Sequence, residues 1–341
     1  MNHTLSALVV VITYRSGDVA ADLAATVSRW LAGGPDRAAV FLDNSDDHEC
    51  VATARAAVDP SVIDRFVAEV APNNLGFSFG VNHAVELGRR RWGEPRVVLL
   101  HNPDVATSAQ VLERVVMLAV EPGIGIAAPT LRAPDGAVDR GSARRVWNKR
   151  RLFATLVGLP ALPPLLGTPR RSIPVEGPGV HDVAFTSGAY MAIRREVFGT
   201  GLDTRLPMYL EDQEICHRAH DLGYRVVVSG DLSAEHVGGV SRKSNTAQRR
   251  ALRLMELVVA PCLSLMDTSG IGERPLKMLV GAAGLTRGAL ALPASLGQRG
   301  ERAAWLRDQL TLAAWFVSWA MTPGRIGDVE WNRATRPAEA G

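Results

Sequence analysis

The sequence predicts an α/β fold: a mainly parallel sheet flanked by helices, followed by a helical extension. Three observations carry this. Apolar runs of strand length alternate with amphipathic segments of helical spacing through residues 5–130. Several of those runs close on polar residues. Past residue 246 the alternation stops and helical spacing takes over, divided by Pro261, Pro275 and Pro293.

The elements follow in order. LSALVVVITY is a continuous β-branched run, as expected of a strand buried on both faces. Val19, Leu23, Val27 and Leu31 then share one helical face from Asp18 to Trp30. AAVFLDN is a second strand, Ile63–Val70 a third, and Gly80–Arg91 a second helix. RVVLLHNPD is a strand, Ser108–Val120 a helix, and GIGIAAPTL a further strand. Strand and helix in alternation is the grammar of a parallel sheet. Residues 132–180 break it with a basic stretch and the proline-rich LPALPPLLGTP, read as a loop or insertion over the site. Residues 181–240 return to strand, helix, strand. The expected division is a nucleotide-binding domain over 1–241 and a helical extension over 242–341.

Composition bounds the classes. The 341 residues are 47% hydrophobic and 21% charged, a globular balance that buries a core without staples. Three dispersed cysteines form no CxxC pair, which disfavours a disulfide framework and fits a reducing, cytoplasmic location. No secretory signal is visible, and no uncharged apolar run approaches the ~20 residues of a membrane span. The net charge of +3 is uneven: residues 241–341 carry +6 and residues 1–240 carry −3. A basic tail fits either a solvated helical face or an anionic surface such as the inner face of a membrane.

Three apolar runs end in Thr13-Tyr14-Arg15, Asp43-Asn44-Ser45 and Asn102-Pro103-Asp104. Ligands of open α/β sheets bind at the carboxyl ends of strands, so these ends are expected to share one crevice. No GxGxxG follows the first strand, and neither GxxxxGK[ST] nor GxSxG occurs, which excludes the familiar dinucleotide, P-loop and hydrolase signatures. Glu211, Asp212 and Glu214 open a helix that Gly223 closes. Acidic residues there either complement the helix dipole or do chemistry.

Taken in order, VVITYRS, LDNSDD, NNLGFSFGVNHAV, HNPDV, TSGAYMAIRREVF, EDQEICHRAHDLGYRV and HVGGVS resemble the successive motifs of the family 2 glycosyltransferases, most closely the bacterial rhamnosyltransferase-like branch. The resemblance spans about residues 6–241. It implies a GT-A fold, a Rossmann-like mixed and mainly parallel sheet, that binds a nucleotide-sugar and a divalent metal, Mg or Mn. It also implies an inverting transferase, with dTDP-rhamnose the favoured donor and a cell-envelope glycan or lipid-linked molecule the acceptor.

The resemblance assigns the residues as follows. Asp212 stands where the family has its general base. Asp104 matches the last Asp of the metal motif, here NPD rather than DxD, and His236 is the matching second ligand or diphosphate contact. Thr13, Tyr14 and Arg15 match the first nucleotide motif, with Arg15 in place of the usual Asn. Asp43 matches the base or ribose contact, and Asn74, Gly76, Phe77 and Asn82 the following loop. Ser187, Gly188, Ala189 and Glu211 would line the channel for donor sugar and acceptor; Trp147 joins that channel on the reading of its basic stretch Arg140–Arg151 as a lid, not from the resemblance. The chemistry is consistent with these types: a cation neutralises a leaving diphosphate, and a base removes the acceptor proton.

Two rival functions stay open on the sequence: a sugar nucleotidyltransferase, and a non-catalytic nucleotide-sugar-binding protein. The Arg140–Arg151 stretch reads either as a lid over an anionic acceptor or as a solvated loop. Nucleic acid is not an expected partner, since no aromatic-basic module accompanies it. Trp305, Trp315 and Trp319 lie on helical spacing in the C-terminal third, as in a homo-oligomer interface, a packed cap or a peripheral membrane contact.

Overall fold

A computed structural model describes residues 5–74, 76–139, 142–144, 148–158, 175, 177–204, 206, 208–209, 211–237, 253–295 and 300–323. The chain divides into two compact units, Met1–Val146 with Ser172–Lys243, and Trp147–Arg171 with Ser244–Gly341.

The first unit is built on a nine-stranded sheet. Strands β1 (Leu5–Thr13), β2 (Arg37–Asp43), β3 (Phe66–Val70) and β4 (Pro95–His101) run parallel in the order β3-β2-β1-β4. Beyond β4 come β10 (Tyr190–Arg194), β6 (Ile124–Arg132), β11 (Arg225–His236) and the short β5 (Val105–Ala106). β10 is antiparallel to both neighbours, whereas β11 is parallel to β6. β8 (Val180–Asp182) pairs with β11 off this path, and β7 (Ala143–Arg144) with β9 (Phe185–Thr186) forms a separate ribbon.

β1 shows why its sequence reads as one apolar run. Ala7, Val9 and Val11 face one core layer, with Val27 and Trp30 of α1 (Gly17–Leu31) and Leu112 and Val115 of α4 (Ala109–Ala119). Leu8, Val10 and Ile12 face the other, with Val81 and Val85 of α3 (Phe77–Trp92). Both faces are dry, so neither alternate set can be polar. Gly88 allows the close approach of α3, because a Cβ there would lie 2.6 Å from Leu8 Cδ2.

Two elements depart from the sequence expectation. Helix α2 (His48–Ala56), capped by Asp47, was not anticipated, because only Cys50 and Ala54 on it are buried and the apolar stripe is thin. The expected third strand begins at Phe66, since Pro60–Arg65 is a 3₁₀ turn started by Asp59 and Pro60.

The stretch 132–180, expected as a loop over the site, is not one loop in its described part. It contains a hairpin through Arg132 and Val138, strand β7, and helix α5 (Lys149–Val157) with Asn148 as its cap. α5 belongs to the second unit, with the helical run that starts at Arg253 and continues as α8 (Ala260–Ser269), α9 (Glu273–Ser295) and α10 (Gly300–Met321). Pro261 lies two residues after a π-helical turn at Met255–Val259, where its missing N–H breaks the regular ladder. Pro275 sits in the first turn of α9, so it starts a helix rather than dividing one. Arg287, 9% exposed, donates to the Leu156 carbonyl at the end of α5 and lies over the Phe316 ring. Trp147, Arg140 and Arg145 lie outside the described residues, as does the side chain of Trp305. No described helix is long and apolar enough to cross a membrane.

Candidate active site

The sheet topology gathers the polar strand ends at one edge. β1, β2, β4, β6 and β11 all present their carboxyl ends there, and antiparallel β10 starts there, directly after the turn Ser187-Gly188-Ala189. β5 pairs with the last residues of β11, setting His236 opposite Val105, and the Val237 N–H donates to the Asp104 carbonyl at 3.0 Å. Asp104 and His236, 132 positions apart in the chain, are therefore neighbours by register.

His236 Nε2 lies 3.7 Å from Asp104 Oδ2, and Nδ1 lies 2.6 Å from Asp139 Oδ2. These side chains are 21%, 14% and 26% exposed, so they are shielded yet reachable. With the Asp104 and Asp139 carboxylates on either side, the imidazole titrates well above its usual range, at about 9. Asp139 was not picked out in the sequence, where nothing marks a hairpin aspartate as the partner of a histidine 97 residues away.

The donor set fits a divalent cation. Asp104 supplies a carboxylate oxygen and His236 a ring nitrogen. Their 3.7 Å separation is too long for a hydrogen bond but within reach of two bonds of about 2.1 Å to a shared ion. The far nitrogen is held by a carboxylate, the usual support of a metal-bound histidine. A cation at Nε2 would take the place of the proton there, leaving a neutral imidazole beside two carboxylates. Among the described residues no group of three or more His, Cys, Asp or Glu is placed to hold a metal ion, so Asp104 and His236 would be a two-residue site that a diphosphate completes.

Asp212 reaches the same edge through α7 (Glu211–Asp221). Its Oδ2 accepts from the Gly188 N–H at 3.3 Å, and its Oδ1 from the Gln213 N–H at 2.8 Å. The next carbonyl along, that of Ala189, accepts from the Asn102 N–H at 2.8 Å, two residues before Asp104. A Cβ on Gly188 would stand 3.3 Å from Asp212 Cβ, so this position has little room for a side chain. Ser187 Oγ accepts from the Ala189 N–H and shapes the same turn.

Glu211 is 8% exposed, and its Oε2 is buried without a hydrogen-bond partner. Burial first, and the neighbouring Asp212 second, push its carboxyl up to about 8. Glu214, by contrast, forms a two-pronged ion pair with Arg218, whose Nη1 also donates to the carbonyls of Phe198 and Gly201. That pair fastens α7 to the turn after α6 (Arg195–Phe198).

The first two strand ends form a self-contained frame. Thr13 Oγ1 donates to Asp43 Oδ2 at 2.6 Å, and Asp43 also accepts from the backbone of Ser45 and Asp47 and from Ser45 Oγ. Asp43 is 1% exposed. Both of its oxygens are engaged by its own loop, so it shapes the crevice rather than offering a free carboxylate. Tyr14 and Arg15 are exposed beside it. Arg15 has φ of 54°, donates its N–H to Ser45 Oγ at 2.8 Å, and places its guanidinium 5.4 Å from the Tyr14 ring centre.

The 74–82 loop separates into two roles. Asn74 is exposed and accepts from the Gly76 N–H, while Gly76, with φ of 106°, starts α3 where a side chain would be strained. Asn44 donates to the Gly76 carbonyl at 3.2 Å, a link the sequence did not reveal. Phe77 and Asn82 differ from the expectation. Phe77 packs against the core. Asn82 donates to the Leu202 carbonyl at 2.9 Å and accepts from the Leu202 N–H at 2.8 Å. Both ends of its amide are used to clamp a loop, which removes it from the ligand-binding set.

No family model matches this sequence, and no curated protein matches it. Solved structures do. Mannosyltransferase PcManGT from Pyrobaculum calidifontis, in complex with GDP-Man and Mn2+, aligns with TM-score 0.54 and 14% identity over 93% of this chain and 86% of that one. S. aureus TarS 1–349 in complex with UDP aligns at 0.47 and 14% identity over 92% of this chain and 81% of that one. GalNAc-T7 with UDP, GalNAc and Mn2+ aligns at 0.45 and 13% identity, over 68% of this chain and 44% of that one. The likeness to the mannosyltransferase agrees with the sheet order and the helical layers described above: this chain has the GT-A fold.

Proposed function

We propose that this protein is a metal-dependent glycosyltransferase that moves a sugar from a nucleotide-sugar to a hydroxyl group. The observation that carries the reading is the Asp104–His236 pair, 3.7 Å apart at the carboxyl edge of a GT-A sheet, with Asp212 held by the Gly188 N–H in the turn before β10. The mannosyltransferase of the same fold is described with GDP-Man and Mn2+, which supports a nucleotide-sugar and a divalent ion here.

Asp104 and His236 would hold the cation. When bound, it neutralises charge on the departing diphosphate as a Lewis acid. The remaining work falls to the chain. Asp212 takes the acceptor hydroxyl proton as the acceptor oxygen bonds to the anomeric carbon and the bond to the diphosphate breaks. One base and one displacement invert that carbon. Burial raises the Glu211 carboxyl and so favours its protonated form beside Asp212, which lessens the repulsion between the paired carboxyls. Gly188 keeps the two carboxyls at their spacing from the β10 turn. The exposed Tyr14, Arg15 and Asn74 are the groups of the first crevice left to meet the nucleotide.

Within this class, the rhamnosyltransferase-like motifs favour dTDP-rhamnose as donor and a cell-envelope glycan or lipid-linked acceptor. Asp212→Asn is the test of the base assignment. It should lower transfer at least a hundredfold, with nucleoside diphosphate release falling in parallel and donor affinity within about threefold of wild type. Transfer at the wild-type rate would refute the base assignment. Pyrophosphate release from a nucleoside triphosphate and a sugar phosphate would refute the reaction class.

A further inference from the structure

We propose that Asp139 is a positioning residue that accepts the Nδ1 proton of His236 and thereby turns the Nε2 lone pair toward Asp104 as a cation donor. The inference rests on the metal-dependent reading above and adds a residue to it.

The geometry has three parts. Asp139 Oδ2 lies 2.6 Å from His236 Nδ1, a distance at which the carboxylate accepts and the ring donates. The carboxylate is itself delivered by a well-tied backbone. Its N–H donates to the Leu131 carbonyl at 2.8 Å, its carbonyl accepts from the Ser142 N–H at 2.9 Å, and Ser142 Oγ accepts from the Leu131 N–H at 3.0 Å. His236 ends β11 opposite Val105, so its backbone is fixed by the sheet and its ring has one nitrogen toward each aspartate. When a cation takes the place of the proton on Nε2, the nitrogen facing Asp104, the ring keeps one N–H, on Nδ1 against Asp139. A carboxylate partner also makes the ring a stronger donor than a carbonyl would. Asp139 meets the cation site at the far nitrogen of His236, so it is argued to act through that ring.

Mn2+ alone is the probe, titrated by electron paramagnetic resonance, with the nitrogen coupling of a bound imidazole as a second readout. Asp139→Ala, Asp139→Asn, His236→Ala and the Asp139→Ala/His236→Ala pair are compared, each checked for an unchanged fold by circular dichroism. Asp139→Ala should weaken Mn2+ binding about 10–100-fold and diminish the nitrogen coupling. Asp139→Asn, which keeps an oxygen acceptor, should fall between it and wild type and serves if the alanine variant does not fold. The double variant should bind no more weakly than His236→Ala, because a residue acting through His236 has nothing left to orient. Unchanged binding and coupling in Asp139→Ala, or losses that multiply in the double variant, would overturn the proposal. If His236→Ala binds Mn2+ as wild type does, His236 is no donor and the metal reading falls together with this proposal, whereas weakened His236→Ala with unchanged Asp139→Ala overturns the proposal alone.

Discussion

Asn82 offers the sharpest contrast between what its motif implies and what its contacts do. Replacing it with alanine removes two hydrogen bonds to one backbone residue, at 2.9 and 2.8 Å, and leaves the Leu202 N–H and carbonyl without those partners. Leu202 is 4% exposed, so water does not readily replace the amide. An unsatisfied buried polar group costs about 1–3 kcal/mol, and two of them partly relaxed give about 2–4 kcal/mol. In a unit of this size that lowers Tm by about 5–15 °C. Asn82→Asp should fall between, since it keeps the acceptor for the Leu202 N–H but turns a second oxygen toward the carbonyl. Differential scanning calorimetry gives the stability, and isothermal titration with a nucleoside diphosphate gives the affinity. Nucleotide affinity should stay within about twofold of wild type at a temperature where the variant is folded. A variant with unchanged Tm and tenfold weaker nucleotide binding would refute the clamp and restore Asn82 to the ligand site.

Two further outcomes follow from the acidic end of α7. Gly188→Ala should cut kcat about tenfold with little change in Tm, because the new Cβ meets Asp212 Cβ at 3.3 Å and shifts the base by a few tenths of an ångström; steady-state kinetics at saturating donor checks it, and an unchanged kcat would show that the turn has slack. Glu211→Gln copies a protonated carboxyl and should keep at least a tenth of wild-type activity at neutral pH, whereas Glu211→Ala leaves a void and should keep less. The Glu211 carboxyl is raised in the folded state, so its contribution to stability is full below the unfolded value near 4.5 and is lost as pH rises toward about 8. Urea denaturation from pH 4.5 to 8.5 should therefore show wild type losing stability relative to Glu211→Gln across that window; parallel curves would show that Glu211 ionises normally.

Local physics wrote much of this protein into its sequence. Strands buried on both faces must be apolar throughout, and helices covering them must carry a stripe, so residues 5–130 reveal the alternation without any structure. Strands that end at a binding crevice turn polar there, which is why Thr13, Asp43 and Asp104 stood out, and the acidic start of α7 marked Asp212. What tertiary structure alone decided is the set of partners. β10 runs against its neighbours between β4 and β6, and this reversal brings Gly188 to the edge where Asp212 can use it. Asp139 meets His236, and Asn82 meets Leu202, across 97 and 120 positions. Hydrogen bonds of that span depend on sheet order and loop closure, and no periodicity of a single chain segment encodes them. The residue types were therefore readable from the sequence, but whether an amide binds a ligand or ties a loop was fixed by what folded against it.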